Sequence, residues 1–367
     1  MEIDIYLDRI RRIQEMLYQR GIAAQFVTAG SNFAYLLGVR PLGLERLILL
    51  SIPSLGTPRL IVPKLSESEF AAFALYFQIS PWADGEDPLL LVRDEIKRLP
   101  KDLPLAMDHG VPAKVVLDLV RQFPSFNLSI GEEAITSLRV TKDSAESQKM
   151  LQMGAIADIA MAAAIKDCQP GQTEMDVAAT IIATLLKHGA EADPPMPIVA
   201  SGPNGAMPHH STGRRKLAEG DVVVMDFGGR LNHYYSDMTR TICLGKPDPE
   251  FLRVYEVVHT AQAKALAAVR PGIPIGRLDE IARDYITQAG YGPYFTHRLG
   301  HGLGVDVHEE PYVYSGNETP LAVGMCFSIE PGVYLPGRFG VRIEDCVIVQ
   351  EKEPLVLTKF TKNLIVK

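Results

Sequence analysis

Two stretches of this 367-residue chain repeat one another. Residues 217–228, LAEGDVVVMDFG, and residues 321–332, LAVGMCFSIEPG, share the frame Leu-Ala-x-Gly, five mostly apolar residues, an acid, one residue and a glycine. Asp226 and Glu330 fill the same slot at an offset of 104. A second pair agrees: QPGQTEMDVAATIIATLL from 169 and RPGIPIGRLDEIARDYI from 270, offset 101, each set a Pro-Gly stop before an amphipathic helix. Near-equal offsets predict two similar α/β halves related by a pseudo-dyad, each placing an acid at the same point of an equivalent strand.

Asp226 closes a Val/Met run with the character of a buried strand, and Asp237 follows in YYSDMTRT. Ionised carboxylates are costly to bury without a cation or hydrogen bonds. A hairpin turning at Leu231-Asn232 would set Asp226 opposite Asp237, and one centred on Gly337 would set Glu330 opposite Glu344, each pair on one sheet face. The pseudo-dyad would bring the pairs together, and four clustered negative charges repel strongly at low effective dielectric. Any one acid alone also reads as an arginine-paired carboxylate, with Arg240 and Arg342 as partners. For duplicated pairs, bound cations are the stronger reading.

The histidines point the same way. His297, His301 and His308 sit in THRLGHGLGVDVHEEP, and His209 and His210 in NGAMPHHSTG. Arg298 stands where the HExxH zinc motif needs Glu, and Gly300, Gly302 and Gly304 oppose a helix. A phosphate loop would need a helix start, which the alternating VDVHEEP lacks. A glycine-rich loop centred on His301 suits an imidazole held close to backbone and metal.

Before these segments the chain alternates helices and strands. Ile3, Tyr6, Ile10, Ile13 and Leu17 predict a helix stopping at Gly21; AAQFVTA, RLILLSIP, RLIVP, LPLAMD and FNLSIG read as strands, with helices over 66–77, 88–99 and 112–123. From Asp143 or Ser144 a long helical pattern runs to Pro170-Gly171. The expected division is an α/β domain over 1–135 and a second over 136–367. A net charge of -7 without a basic patch argues against nucleic acid or an anionic membrane surface as partner. The acidic start MEIDIYLDRI shows no secretory pattern, so a cytoplasmic address is expected. Cys168, Cys243, Cys326 and Cys346 form no CxxC pair and read as buried thiols.

The order Asp226, Asp237, His301, Glu330, Glu344, in the contexts MDFGG, YYSDMTRT, HRLGHGLGVDVHE, SIEPGVY and GVRIEDCV, closely resembles the pita-bread metallopeptidases, in the branch of Xaa-Pro dipeptidases (prolidases) and aminopeptidase P. The resemblance spans the chain and implies an α/β (α+β) protein, a creatinase-like N-terminal domain ahead of a pita-bread catalytic domain with a pseudo-twofold repeat. It implies that Asp226 chelates one metal, that His301 and Glu330 bind another, and that Asp237 and Glu344 bridge them. It further implies His209, His297 and His308 around the substrate, His308 near the scissile peptide, with Arg342 and Tyr334 supporting, and a homodimer. Four carboxylates and one imidazole form a hard ligand set that suits two divalent ions, Mn2+ ahead of Co2+ or Zn2+. Glu330 is the expected proton shuttle. The expected reaction is hydrolysis of Xaa-Pro bonds, on dipeptides rather than the longer peptides of aminopeptidase P. A dipeptidase needs a cation for the free proline carboxylate, and Arg298, Arg338 and Arg342 are the candidates. A creatinase-type enzyme working without metals and a non-catalytic binding protein are the competing readings, which the full ligand set disfavours.

Overall fold

The computed structural model describes residues 2–41, 45–131, 133–192 and 195–367, Glu2 by its backbone alone. The chain divides into two compact units, Met1–Arg139 and Val140–Lys367.

In the first unit the apolar stripe from Ile3 to Leu17 becomes α1 (Glu2–Gln19), which buries Ile10, Ile13 and Leu17. It is followed by β1 (Ala24–Thr28), α2 (Ser31–Leu37), β2 (Leu49–Pro53), β3 (Arg59–Pro63), a 3-10 segment (Lys64–Phe73), β4 (Gln78–Trp82), α3 (Leu89–Arg98), β5 (Leu105–Met107), α4 (Ala113–Gln122), β6 (Leu128–Ile130) and α5 (Glu133–Arg139). The sheet runs β4-β3-β2-β1-β5-β6, parallel at β3/β4, β1/β5 and β5/β6. Three differences from the sequence expectation have physical causes. The helix expected over 66–77 is the tighter 3-10 segment, which shares a helical apolar pattern. Pro81 disguised β4, which is tolerated because β4 lies at the sheet edge, where a missing N–H needs no partner. In α2 every residue from Asn32 to Leu37 is buried, so no polar face betrayed its period.

The second unit opens on α6 (Ser144–Asp167), capped by a reciprocal box in which the Asp143 carboxylate accepts the Glu146 N–H and Glu146 accepts the Asp143 N–H. After it come α7 (Glu174–Lys187), β7 (Ile198–Ser201), β8 (Val222–Leu231), β9 (Tyr234–Cys243), α8 (Pro249–Ala267), α9 (Gly276–Gln288), β10 (Gly300–Gly302), β11 (Glu309–Val313), β12 (Cys326–Ile329), β13 (Gly332–Leu335), β14 (Phe339–Arg342), β15 (Glu344–Ile348), β16 (Leu355–Val356) and β17 (Ile365–Val366).

The pseudo-dyad is visible in the strand order β11-β10-β12-β15-β9-β8-β7. Reading outward from the β15/β9 junction, β15, β12 and β10 mirror β9, β8 and β7. Each half carries its own helix pair and core: α6 and α7 bury Met153, Ala157, Val177 and Ile181 with Val223 and Met225, and α8 and α9 bury Phe251, Val258, Leu278 and Ala282 with Phe327 and Val347. Among the described residues, no helix is long and apolar enough to cross a membrane.

The β8/β9 hairpin corrects one expectation. Its turn is Asn232-His233, both at positive φ (49° and 72°), not Leu231-Asn232. Two left-handed residues in a two-residue turn match the strand twist. The register therefore moves by two: Asp226 lies across from Thr239, and Asp237 from Gly228. A shift of two preserves the face, so the acids remain neighbours, but diagonally. In the other half, β12 and β15 pair Ile329 with Asp345, and β13 and β14 pair Gly332 with Arg342 around Gly337 at φ 72°. That register, one residue beyond β12, sets Glu330 across from Glu344.

Candidate metal centre

Period-two alternation delivers the acids to one place. Met225 and Phe227 face the helices, so Asp226 faces the other way, together with Gly228, Asp237 and Thr239. At the sheet centre β15 sets Glu344 opposite Thr239, so Glu344 joins that face. His301 comes from β10, between two glycines whose missing side chains make room. A Cβ on Gly300 would stand 2.0 Å from the Ser328 carbonyl oxygen, and one on Gly302 2.4 Å from that of Glu310.

Asp226, Asp237, His301, Glu330 and Glu344 all line one cavity of about 590 Å³, as do His209, His297, His308, Arg298 and Arg342. Asp237, His301 and Glu344 are buried and offer ligand atoms within 4.8 Å of one another. Glu330 Oε1 lies 3.2 Å from His301 Nε2, and Asp237 Oδ2 lies 3.9 Å from it. His301 Nδ1 lies 3.1 Å from the Gly302 carbonyl, which can only accept, so Nδ1 carries a proton and Nε2 is the ring atom turned toward the acids.

The residues fit a cation. Glu344 is 1% exposed and its Oε2 accepts from Thr239 Oγ1 at 2.7 Å, yet its Oε1 is buried with no hydrogen-bond partner. Burial, with Asp237 and Glu330 as like charges, holds the Glu344 carboxyl well above its ordinary range. Burial and the neighbouring Asp226 push Asp237 up to about 8. Burial would raise Glu330 too, but the hydrogen bond and charge of His301 outweigh it and hold it at about 2. An orphaned buried oxygen among mutually repelling carboxylates is what divalent cations relieve.

The arginines divide. Arg342, 3% exposed, pairs with Asp226 and donates to Tyr334 Oη at 2.8 Å and to Thr239 Oγ1 at 3.2 Å. Arg240 pairs with none of the four carboxylates; it binds Asp345 Oδ1 at 2.7 Å and backbone carbonyls at 239, 344, 360 and 361. The arginine pairing that any lone acid permitted is thus found at Asp226 only, among the four. Arg338 pairs with Glu250 and does not line the cavity.

The histidines divide as well. His209 lines the cavity, whereas His210 Nε2 lies 2.8 Å from Glu174, a wholly buried carboxylate that also accepts from Ser201 and Asn204 and so fixes the loop presenting His209. His297 Nε2 lies 2.9 Å from Tyr334 Oη. The His308 ring centroid is 3.9 Å from that of His301; burial, then the charge of His301, lower it to about 4, so it is neutral at pH 7. Its loop is pinned by a buried ion pair, Lys142 Nζ to Glu309 Oε1 at 2.6 Å, with Glu309 Oε2 accepting the Val305 and Asp306 N–H groups.

Two residues of the centre escaped the sequence reading. Thr239 bridges Arg342 and Glu344, and Ser328 donates to Glu330 Oε1 at 3.0 Å while accepting the His301 N–H. The available signal was position: each stands two residues from a candidate acid, hence on its face of the strand.

The model for metallopeptidase family M24 matches residues 148–351, and that for the creatinase/prolidase N-terminal domain matches residues 9–141. A solved prolidase from Thermococcus sibiricus is 40% identical, with a TM-score of 0.95 and 99% of each chain covered. The "Probable dipeptidase PepE" of Mycobacterium tuberculosis is 37% identical over 369 residues, covering 100% of this chain and 97% of that one. The Xaa-Pro dipeptidase of Lactobacillus delbrueckii is 34% identical, covering 96% of this chain and 97% of its own.

Proposed function

The chain belongs to metallopeptidase family M24, with a creatinase/prolidase N-terminal domain ahead of the pita-bread unit, and from that premise we propose that it hydrolyses Xaa-Pro bonds at a two-metal centre, acting chiefly on dipeptides. The carrying observation is the buried Glu344 Oε1, unpartnered within a cluster of four carboxylates and His301 that opens on one cavity. In this reading Asp226 would hold one ion, His301 and Glu330 would hold the other, and Asp237 and Glu344 would be shared by both. The oxygen-rich set suits Mn2+ ahead of Co2+ or Zn2+. Two such ions, when bound, supply the charge that ionises a water near neutral pH and stabilises a tetrahedral oxyanion.

The chain's own groups do the rest. Glu330 takes the proton of the attacking water and passes it to the proline nitrogen as that nitrogen leaves. His308, neutral at pH 7, donates a hydrogen bond to the charge developing on the scissile carbonyl. His297, Tyr334 and Arg342 form a hydrogen-bonded chain that ends on Asp226 and holds it in place. An Xaa-Pro bond has no peptide N–H, so alignment depends on groups around the ring, for which His209 and His297 form walls.

A homodimer belongs to the same proposal, as does a cytoplasmic setting, which four buried free thiols support. The metal assignment is tested by Asp237→Ala and Glu344→Ala: each should lose at least one bound ion and nearly all turnover. A variant that keeps two ions and full activity refutes the bridging roles.

A further inference from the structure

We propose that two buried carboxylates, Glu174 and Asp279, form a duplicated pair of positioning residues, each holding from the start of its helix the loop that presents one cavity histidine: Glu174 for His209, and Asp279, through Arg283, for His297. The effect on substrate rests on the Xaa-Pro reading above; the two clamps do not.

The pseudo-dyad that duplicates the acids of the centre duplicates these as well. Glu174 is the first residue of α7 and Asp279 lies in the first turn of α9, 105 residues apart, close to the offsets of 104 and 101 in the sequence repeat. Both are 0% exposed. A carboxylate is buried so completely only where hydrogen bonds or cations satisfy it, so its partners show what it holds.

Glu174 Oε1 accepts the Ser201 N–H and hydroxyl, each at 2.8 Å, and the Asn204 amide at 2.9 Å; Oε2 lies 2.8 Å from His210 Nε2 and accepts the Gly213 N–H at 3.3 Å. Between these anchors the Met207 carbonyl accepts the His210 N–H at 3.1 Å, which closes a turn with Pro208 and His209 as its central residues. His209 thus stands at the tip of a turn whose entry and exit are bound to one carboxylate. Burial alone would raise Glu174, but hydrogen bonds from Asn204, Ser201 and His210 hold it below its ordinary range, so it is ionised at pH 7.

Asp279 meets Arg283 through two hydrogen bonds, at 2.7 and 2.9 Å, and its Oδ1 accepts the Leu299 N–H at 2.8 Å. The guanidinium, so oriented, donates to the Phe295 carbonyl at 3.0 Å and the His297 carbonyl at 2.8 Å, with its carbon 4.2 Å from the Phe295 ring centroid. Residues 295–299 are therefore fastened at both ends and in the middle to the start of α9. The bonded atoms are backbone atoms, so the clamp fixes the path of the chain and leaves the His297 ring to Tyr334 and the cavity.

The test is a pair of double-mutant cycles on Ala-Pro with metal-loaded protein, since a positioning residue acts through its histidine and a merely structural one does not. Glu174→Gln and Asp279→Asn keep the volume and one acceptor oxygen. Each should lower kcat/KM by about ten- to a hundredfold, mainly through KM, as displaced walls of the ring pocket would. In a His209→Ala background Glu174→Gln should cost less than about twofold further, yet keep its full cost in a His297→Ala background; Asp279→Asn should do the reverse. Stability in denaturant supplies the contrast, because each acid's loss there should be the same in every background. Activity costs that add in every background, or single variants with no loss, overturn the proposal. Where either variant does not fold, Asn204→Ala or Arg283→Lys, which weakens the same clamp, decides the same cycle. A wild type that cleaves no Xaa-Pro dipeptide refutes the Xaa-Pro reading instead, and the imidazole NMR signals of Zn2+-loaded protein still decide the clamps: Glu174→Gln should move the His209 signal and leave that of His297, Asp279→Asn should do the reverse, and any other pattern overturns them.

Discussion

Loading the centre with ions should expel about two protons per chain at pH 7, because metal ligands bind deprotonated. Burial and the charge of Asp226 push Asp237 up to about 8, and burial with Asp237 holds Glu344 well above its ordinary range. Burial alone would lower His301, but the hydrogen bond and charge of Glu330 raise it to about 9. Asp237 and His301 therefore carry protons at pH 7, whereas Glu330, at about 2, does not. Cations compete with those protons, so binding should tighten as pH rises toward 9 and weaken as it falls. The stability of the chelated protein runs the opposite way. Asp237 and Glu344 contribute stability below their unfolded values near pH 4 and lose it as pH rises, Asp237 through about 8; His301 contributes below about 6.5 and loses it through about 9. Mn2+ titrated calorimetrically into chelator-stripped protein, in two buffers of different ionisation enthalpy, counts the protons directly. Asp237→Asn should release about one fewer. Release of less than about one proton by the wild type, or affinity independent of pH between about 6 and 8, would refute the cluster's described charge state.

Three further outcomes are expected. His308→Ala should lower turnover with metal content unchanged, since His308 acts on substrate; loss of an ion, measured by elemental analysis, would make it a ligand. Lys142→Met strands a buried Glu309 and should destabilise the protein by about 3–5 kcal/mol in denaturant titration, whereas adding Glu309→Gln should recover much of that loss; a double variant no more stable than the single one contradicts the pairing. Light scattering should give twice the 40.3 kDa chain mass at micromolar concentration, and a monomer mass would count against the dimer.

Much of the centre was legible because repetition and alternation are linear in sequence. The shared frame around Asp226 and Glu330 marked equivalent strands, and the two-residue period carried Asp237 and Glu344 to the same face even though the β8/β9 turn was placed one residue early. That turn misled because Asn232-His233 needs two left-handed residues, and Asn-His is a weaker signal for them than Asn-Gly. Thr239 and Ser328 were hidden because a hydroxyl residue in an apolar strand reads simply as a strand former. The separate fates of Arg298, Arg338 and Arg342 depend on contacts with Tyr312, Glu250 and Asp226, which no local pattern encodes. In the first unit, α2 was missed for lack of a polar face and β4 because of Pro81.

Proline release from Ala-Pro and from Ala-Pro-Ala, measured on one protein sample after chelation and again after Mn2+ is returned, decides whether this centre hydrolyses Xaa-Pro dipeptides through bound metal. The chelated protein should release no proline, Mn2+ should restore release, and the dipeptide should be cleaved faster. Cleavage that persists with no bound metal, or no cleavage by the Mn2+-loaded protein, would contradict it; equal or faster cleavage of the tripeptide would move the activity to an Xaa-Pro aminopeptidase.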